Sequence, residues 1–475
     1  MIVLSHAQTG HGLSFDNYNT IYAITTNPAF SVESKSKWQI NGFSYNNLNF
    51  TDVGEIDPLD LNYLSTPSGF NGISYDTNFE ASSTTNTAFS ERDWLLPSVI
   101  YKLSDKIAIG LAWRSRAITN YSDFNGGFFE VVNQGEETQS TPENYPSTRQ
   151  NFTNTSHHWG ELGVNFAVSI INTDNHVIKL GGTVKWLRGQ GVINIKGENF
   201  ETSLTNNNQL EIRSGSTLTY LNTFENTENQ GSDIISTDIT SNIFGGPFQN
   251  FFSNKLSNNN FGGDAGLVWE IRTKATNRLD RGLSESSVNL YKIKISGSLL
   301  DLGLITYDKD PNGNKANVLN DLLNVENNLS TTLQNFNTRG ALINILRQNI
   351  GTNVNREQQR GEVKVALPTS LNLNIDYLLS NAKNLYLNLN YTHPIRENTD
   401  DFANQRMQLI TLTPRIEHPN WSIYAPISYG AETDLGFGLG GRYKFITAGV
   451  ALNQFINQGG FNYVYIGINQ SLIKL

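Results

Sequence analysis

Apolar residues alternate with small or polar residues along this chain in segments of roughly ten residues, the signature expected of transmembrane β-barrel strands. In the segment 106–117, Ile107, Ile109 and Leu111 fall on one face, and Ala108 lies on the other face with glycine and arginine. Because successive side chains of a strand point to opposite faces, one face is apolar and the other is small or charged. The same alternation recurs near residues 161–170, 371–377 and 385–391.

The connections between these segments are of two lengths. Very short polar turns are predicted at 104–106, 172–175, 380–383 and 418–420. Long insertions, which we interpret as extracellular loops, lie between the resulting hairpins at 51–92, 120–156, 191–260 and 306–361. Short and long links alternate, which places them at opposite ends of the sheet, as in outer-membrane barrels with short periplasmic turns and long external loops.

The pattern predicts an all-β fold, a transmembrane outer-membrane β-barrel of about fourteen antiparallel strands spanning residues 37–475. An even number of strands puts both chain ends on one side, so we expect both termini in the periplasm. The strands are predicted near 37–51, 93–103, 106–119, 157–171, 176–190, 261–272, 288–305, 362–379, 384–395, 405–417, 421–430, 434–443, 446–455 and 461–473.

The N-terminal residues precede the barrel. Residues 1–7 resemble the end of a secretory signal peptide with a small residue before the cut, the alternative being a short tail. Residues 8–36 form a periplasmic or plug segment, in which 14–36 are long enough to enter the lumen.

The insertion at 316–350 has apolar residues at roughly helical spacing, first at Leu319, Leu322 and Leu323 and again from Leu342 onward. This spacing predicts two amphipathic helices in an external loop. They would pack on each other or on the loop, or form a lid or a surface for a partner.

Composition narrows the class of protein. Charged residues make up 16% of the chain and hydrophobic residues 38%, which suits a wall with lipid on one side and water on the other better than a soluble domain. Cysteine is absent, so thiol chemistry is excluded, and a net charge of −9 gives no support for nucleic-acid binding. No apolar run is long enough for a membrane-spanning helix, so strands must make any crossing.

Three motifs are candidates for a binding or catalytic site. The sequence at 436–441 contains G-x-G-x-x-G, but it lies within an alternating segment and is interpreted as small lumen-facing residues of a strand. Asp308, Asp310 and Asn312 match the first half of a calcium loop without its closing acid, so a turn is the preferred interpretation and calcium a weak candidate. His157 and His158 point to opposite faces of a strand and are expected at a rim. No Ser–His–acid arrangement stands out, and we expect no catalytic residue, no enzyme activity and no cofactor.

Several basic side chains fall on lumen faces, namely Arg114, Arg116, Lys179 and Lys185, together with Lys292 and Lys294. They would draw anions through a pore, or they would pair across the lumen with Glu161, Glu270 and Asp376. Internal pairing is the preferred interpretation.

The element Asn27-Pro28-Ala29 before the first strand resembles the N-terminal element of the long-chain fatty-acid transporter superfamily. Other local features are similar to a Bacteroidota outer-membrane family of unknown function within it; they are Leu96-Pro97-Ser98, the strand at 181–189, the segments 301–305 and 367–371, and Leu412-Thr413-Pro414-Arg415. The resemblance implies a fourteen-strand barrel with an N-terminal plug motif. The superfamily also contains the shuttle barrel of type IX secretion and accessory subunits of outer-membrane machines.

Two functions follow as expectations. The first is an accessory or structural subunit of an outer-membrane protein export or assembly complex, whose partners are other outer-membrane proteins besides lipid and lipopolysaccharide. The alternative is a transport channel for a hydrophobic small molecule. The lumen faces are rich in asparagine, serine, glycine and charge, which disfavours an apolar path and places the subunit first.

Overall fold

The structure is a computed structural model of the whole chain. It describes residues 13–51, 55–56, 73–74, 86–124, 149–204, 209–213, 215–222, 257, 259–273, 291–307, 319–325, 329–332, 354–359, 363–395, 402–430, 434–452 and 460–474.

The described strands form one closed antiparallel barrel with fourteen wall positions, which confirms the predicted fold class. The first and last strands close it, with Ser36 opposite Lys474 and Thr51 opposite Gly460. In chain order the wall consists of β1 (Ser36–Thr51), β4 with β5 (Asn86–Leu95, Ser98–Ser104), β6 (Ile107–Phe124), β7 (Gln150–Asn172), β8 (His176–Phe200), β12 (Asn260–Arg272), β13 (Tyr291–Tyr307), β17 with β18 (Val363–Ala366, Ser370–Ser380), β19 (Leu385–Pro394), β20 (Leu409–Glu417), β21 with β22 (Trp421–Tyr424, Ile427–Gly430), β23 (Asp434–Tyr443), β24 (Ile446–Leu452) and β25 (Gly460–Lys474).

Three wall positions are interrupted, and each interruption contains a proline: Pro97, Pro368 or Pro426. A proline has no backbone N–H and cannot donate to the ladder, so the strand breaks there and resumes beyond it.

The two faces of the wall are as the alternation predicts. Ile109 and Leu111 are each 40% exposed on the outside, whereas Ala108 is fully buried inside. In β23, Phe437 and Leu439 are exposed outside, so the G-x-G-x-x-G sequence is part of the wall, as interpreted.

Both ends of the barrel chain, at Ser36 and Lys474, lie at the end of the barrel that carries the short turns. One connection departs from the expected segregation of lengths. β12 ends and β13 begins at this same end, because Arg272 pairs with Tyr291, so residues 273–290 form a longer connection there.

At the opposite end several strands continue into segments that the sequence analysis assigned to long insertions. β7 begins at Gln150 and β8 runs to Phe200. The ladder extends outward from β8 through β11 (Ser216–Asn222) and β14 (Leu319–Val325) to β16 (Val354–Gln359). Short strands complete the described part, namely β2 (Glu55–Ile56) with β3 (Ile73–Ser74), and β9 (Thr202–Leu204) with β10 (Gln209–Ile212) and β15 (Leu329–Thr332).

The prediction of a first amphipathic helix beginning at Leu319 is wrong. Residues 319–325 form β14, with Leu319 opposite Asn222 of β11. The apolar spacing fits either structure over so short a run, and pairing with β11, which is distant in sequence, selects the strand. The second predicted helix lies outside the described residues.

Among the described residues, no helix is long and apolar enough to cross a membrane.

The N-terminal segment lies inside the barrel. It consists of a 3₁₀ turn at Leu13–Phe15, a helical turn at Thr20–Ala23 and a second 3₁₀ turn at Pro28–Glu33, all largely buried.

Candidate functional site in the lumen

The Asn27-Pro28-Ala29 element anchors the N-terminal segment to the wall. The Asn27 side chain accepts a hydrogen bond from the Ala29 backbone N–H at 2.9 Å, which caps the second 3₁₀ turn. Its amide also donates to the carbonyls of Leu267 and Gly297, at 3.2 Å each. Asn27 thus stabilises the second 3₁₀ turn and hydrogen-bonds it to β12 and β13.

Two wall glycines give this element room. A Cβ added at Gly181 would lie 2.5 Å from the Ala29 Cα, and one at Gly266 would lie 2.9 Å from the Asn27 Cγ. At Gly181 backbone therefore packs on backbone, and at Gly266 the wall backbone packs on the Asn27 and Pro28 side chains; both approaches need a glycine.

Asp16 anchors the other end of the segment. Its carboxylate accepts hydrogen bonds from Ser422, Tyr424 and Arg442, each at 2.7 Å. Burial by itself would raise the pKa of Asp16, but the Arg442 guanidinium and the two hydroxyls outweigh it and hold that pKa below its ordinary value of 3.8.

Glu33 joins the segment to two lysines of the wall. Its carboxylate lies 2.9 Å from the amino groups of both Lys179 and Lys294. Lys179 also pairs with Glu270, and Lys294 donates to Asn17 at 2.8 Å. Charge pairing thus holds the N-terminal segment to β8 and β13.

A layer of buried charges crosses the lumen beyond the N-terminal segment. We call it the charged layer; it contains four cations and five carboxylates, namely Arg114, Arg116, Lys185 and Arg406 with Glu91, Asp93, Glu161, Asp264 and Asp301.

Within this layer each wall cation is held by more than one carboxylate. Arg114 binds Asp93 at 2.6 Å and Glu161 at 2.8 Å. Arg116 binds Asp301 at 2.8 Å, and Lys185 binds the same carboxylate at 2.7 Å. Such buried pairs specify one arrangement of the strands, because each charge left without a partner in the lumen is costly.

Asp301 owes its position to the backbone. Its φ is +57°, a left-handed conformation that aspartate tolerates better than most residues. Its N–H donates to the Asp264 side chain at 2.8 Å. The local bend directs the Asp301 carboxylate to Arg116 of β6 and Lys185 of β8.

Five of the six predicted lumen-facing cations are buried in the lumen and paired with carboxylates, whereas the partly buried Lys292 donates to the Leu378 carbonyl and lies over the ring of the outward-facing Tyr377. Of the expected acidic partners, Glu161 contacts Arg114 and Glu270 contacts Lys179. Asp376 instead pairs with Arg415, 2.5 Å away. Sequence reasoning did not find Asp301 or Arg406, because nothing in the alternation connects residues more than a hundred positions apart.

Amide side chains line another part of the wall interior. Asn388 donates to Asn374 at 2.7 Å, and Thr392 donates to Asn372. These groups of β18 and β19 hydrogen-bond one another across the ladder, so this side of the lumen is cross-linked and polar.

Apolar side chains gather in the lumen beside the charged layer, toward the long-insertion end, with buried polar groups such as Asn120 and Thr155 farther out. Side chains from seven of the fourteen wall positions meet there in one buried cluster, which continues to Ile21 and Tyr22 of the N-terminal segment. We call its outer part the outer apolar cluster; its members are Leu48, Phe50, Phe89, Ile118, Trp159, Leu187, Val192, Ile305, Tyr307, Val363, Val365, Leu367 and Met407. Sequence analysis missed it, because alternation led to an interior assigned as polar throughout.

The two histidines adjoin this cluster and not an exposed rim as expected. His157 is fully buried, its Nε2 lies 3.0 Å from the Tyr307 hydroxyl, and its ring centroid lies 4.9 Å from that of Trp159. His158 is 4% exposed.

No group of three or more metal-ligating His or acidic side chains is found in the part of the chain that the structure describes. The weak calcium candidates Asp308, Asp310 and Asn312 lie outside the described residues.

Comparison with known proteins gives a family and a set of similar folds. A model described as "Family of unknown function (DUF5723)" matches residues 28–450, and no curated protein matches. Similar solved structures include the toluene transporter TodX of Pseudomonas putida, with 9% identity, a TM-score of 0.43 and 99% of each chain covered. A FadL homologue of Pseudomonas aeruginosa has 10% identity, a TM-score of 0.40 and 99% of each chain covered. The toluene transporter TbuX of Ralstonia pickettii has 9% identity and a TM-score of 0.40, with 98% of this chain and 97% of that chain covered.

Proposed function

The chain belongs to a family of unknown function (DUF5723), and we propose that it is a non-enzymatic outer-membrane channel for a hydrophobic small molecule. The outer apolar cluster faces the external medium and the short turns and both chain ends face the periplasm. This adopts the alternative that the sequence analysis placed second.

The outer apolar cluster is the observation that carries the proposal. Ile305, Val365 and Leu187 are fully buried on the lumen side of three different strands. A general pore for ions or sugars has a polar, water-filled interior. Apolar side chains cannot hydrogen-bond such solutes or their hydration water. A site for a hydrophobic molecule has the opposite character, with apolar walls and a few placed polar groups.

The charged layer and the N-terminal segment lie between this cluster and the short-turn end. Together they fill the lumen below it with paired charges and packed backbone. An apolar molecule does not replace those hydrogen bonds, so it binds in the cluster first and needs a rearrangement to travel further.

Membership of an export or assembly complex stays a prediction, as does the relation to type IX secretion. Both rest on the resemblance and on the long insertions, much of which lies outside the described residues.

Binding of an apolar fluorescent probe to the purified barrel tests the proposal. N-phenyl-1-naphthylamine is titrated into the wild-type protein and into two neighbouring variants, Ile305→Thr and Leu304→Thr. Ile305 faces the lumen, whereas Leu304 is 42% exposed on the outside of the same strand. Burying a hydroxyl without a partner costs roughly 1 to 3 kcal/mol, so Ile305→Thr should weaken binding about tenfold or more.

Leu304→Thr should leave probe binding unchanged. Absence of saturable binding to the wild-type protein, or equal loss in both variants, would contradict the proposal.

A further inference from the structure

The described part of the link between β19 and β20 lies inside the barrel. We call its described part, residues 402–408, the strap. It joins the ninth and tenth wall positions, yet it contacts β6 and β7, the third and fourth positions on the far side of the barrel. The connection at this end of the barrel therefore folds inward instead of outward.

One asparagine and its neighbour fix the strap to the far wall. The Asn404 amide donates to the Ile118 and Thr155 carbonyls at 3.2 and 3.1 Å and to the Asn120 side chain at 2.8 Å. Asn120 in turn donates to the Gln405 carbonyl at 2.8 Å and accepts from the Gln405 N–H at 3.1 Å. Five hydrogen bonds thus hold two residues of the strap.

The next residue enters the charged layer. One Arg406 guanidinium nitrogen lies 3.0 Å from Asp301 and 3.4 Å from Glu91. Met407 packs in the outer apolar cluster, and Phe402 packs against it. The strap therefore touches both layers of the lumen.

Two features distinguish the strap from the wall around it. Between Phe402 and Met407 the strap has no ladder pairing, so it can leave the lumen without breaking the wall. Arg406 is buried, yet none of its side-chain nitrogens makes a hydrogen bond of good geometry. A buried cation held by charge alone is costly, which lowers the stability of the closed state.

We propose that the strap is an external gate over the outer apolar cluster, with Asn404 and Arg406 as its latch. Asp301 keeps Arg116 and Lys185 when Arg406 withdraws, and Glu91 keeps Arg116, so the wall members of the charged layer remain paired while the strap opens. The gate is separate from the N-terminal segment, which closes the lumen from the other end. Its role in admitting a ligand rests on the proposed function, whereas its movement does not.

Movement is measured with a single reporter cysteine, which is unambiguous because the natural chain contains none. Met407→Cys is buried when the strap is closed, at 3% exposure for the natural residue, and reacts with a membrane-impermeant maleimide when it opens. Adding Asn404→Ala removes the three hydrogen bonds of the Asn404 amide and should speed labelling about tenfold or more. Adding Arg149→Ala instead breaks an exposed ion pair outside the lumen and should leave the rate unchanged.

Admission of a ligand is measured with a reversible lock. Asn120→Cys with Gln405→Cys places a disulfide where the Asn120 side chain already hydrogen-bonds the strap backbone at Gln405. Thr119→Cys with Ser156→Cys is the matched control, because it joins facing side chains of β6 and β7 and leaves the strap free. The lock should abolish binding of N-phenyl-1-naphthylamine until a reductant is added, and the control pair should not.

The outcomes separate the two proposals. Labelling of Met407→Cys that Asn404→Ala does not accelerate overturns the gate, as does probe binding that the formed lock leaves unchanged. A wild-type protein that never binds the probe, but whose Met407→Cys labelling responds as expected, overturns the proposed function and retains the moving strap.

Discussion

Gly181 of the wall lies directly against the backbone of Ala29 in the N-terminal segment, so closely that a Cβ on the glycine would come 2.5 Å from the Ala29 Cα. The next residue, Gly182, faces the other way, and its added Cβ would meet the Asp264 carbonyl oxygen at an ordinary 3.6 Å. A substitution at Gly181 therefore affects the docking of the N-terminal segment, whereas the same substitution at Gly182 tests the strand alone.

We expect Gly181→Ala to displace the N-terminal segment and Gly182→Ala to leave it in place. The added methyl group overpacks the contact between residue 181 and the Ala29 backbone, at a cost of roughly 1 to 3 kcal/mol. The strand ladder of the wall does not depend on that contact. Limited proteolysis of the folded barrel should cleave residues 13–33 faster in Gly181→Ala alone. Equal cleavage in both variants would show that Gly181 plays no part in docking.

Asp301→Asn should be among the most damaging single changes in the lumen. It leaves Arg116, Lys185 and Arg406 short of one shared negative charge, and breaking a buried pair costs roughly 3 to 5 kcal/mol. Glu198→Gln is the control, because its pair with Lys196 is half exposed and should contribute no more than about 1 kcal/mol. Urea unfolding in lipid vesicles measures both, and a smaller loss for Asp301→Asn than for Glu198→Gln would refute the account of the charged layer.

The lipid-facing side of the wall should reject charge. Leu111→Arg should cost roughly 2 to 4 kcal/mol if it lies near the bilayer midplane. Ala112→Arg, which an open lumen would tolerate, should also destabilise the barrel, because Ala112 is only 7% exposed in a filled interior. Ala112→Ser should be tolerated. The proportion of heat-modifiable folded protein after insertion into vesicles reports each variant, and full insertion of Leu111→Arg would invert the face assignment.

The anchor at Asp16 should weaken in acid. Since its folded pKa is below the ordinary 3.8, the carboxylate's contribution is complete above about that pH and is lost as the pH falls through the lowered value. Asp16→Asn lacks this contribution at every pH. The difference in unfolding free energy between wild type and Asp16→Asn should therefore shrink below about pH 3.8, and a difference that stays constant to the lowest accessible pH would contradict the assignment.

The alternation of the sequence predicted the strands and their faces well. Within each strand the lipid-facing side chains are apolar and the lumen-facing ones are small or polar, so the pattern is local to the strand. Leu111 and Ala112 show this at adjacent positions. The alternation did not predict features that depend on residues distant in the chain. Leu319 lies in a strand because β11 pairs with it, and Arg116 forms its ion pair with Asp301 of a strand far along the chain. The Asn27-Pro28-Ala29 motif was recognised by resemblance, but its niche at Gly181 and Gly266 is visible only in three dimensions.

The apolar interior near Ile305 was the main omission, and it changes the preferred function. Inward-facing residues at that level come from many strands, one or two from each, so no single segment reads as an apolar site. Only the closed barrel brings them together.

Native mass spectrometry of the protein, gently solubilised from its own membrane, tests the central claim most directly. The account predicts a solitary barrel that carries a small hydrophobic molecule, released on activation and lost in Ile305→Thr but retained in Leu304→Thr. A stoichiometric complex with other outer-membrane proteins and no bound small molecule would contradict the channel and restore the complex subunit as the better explanation.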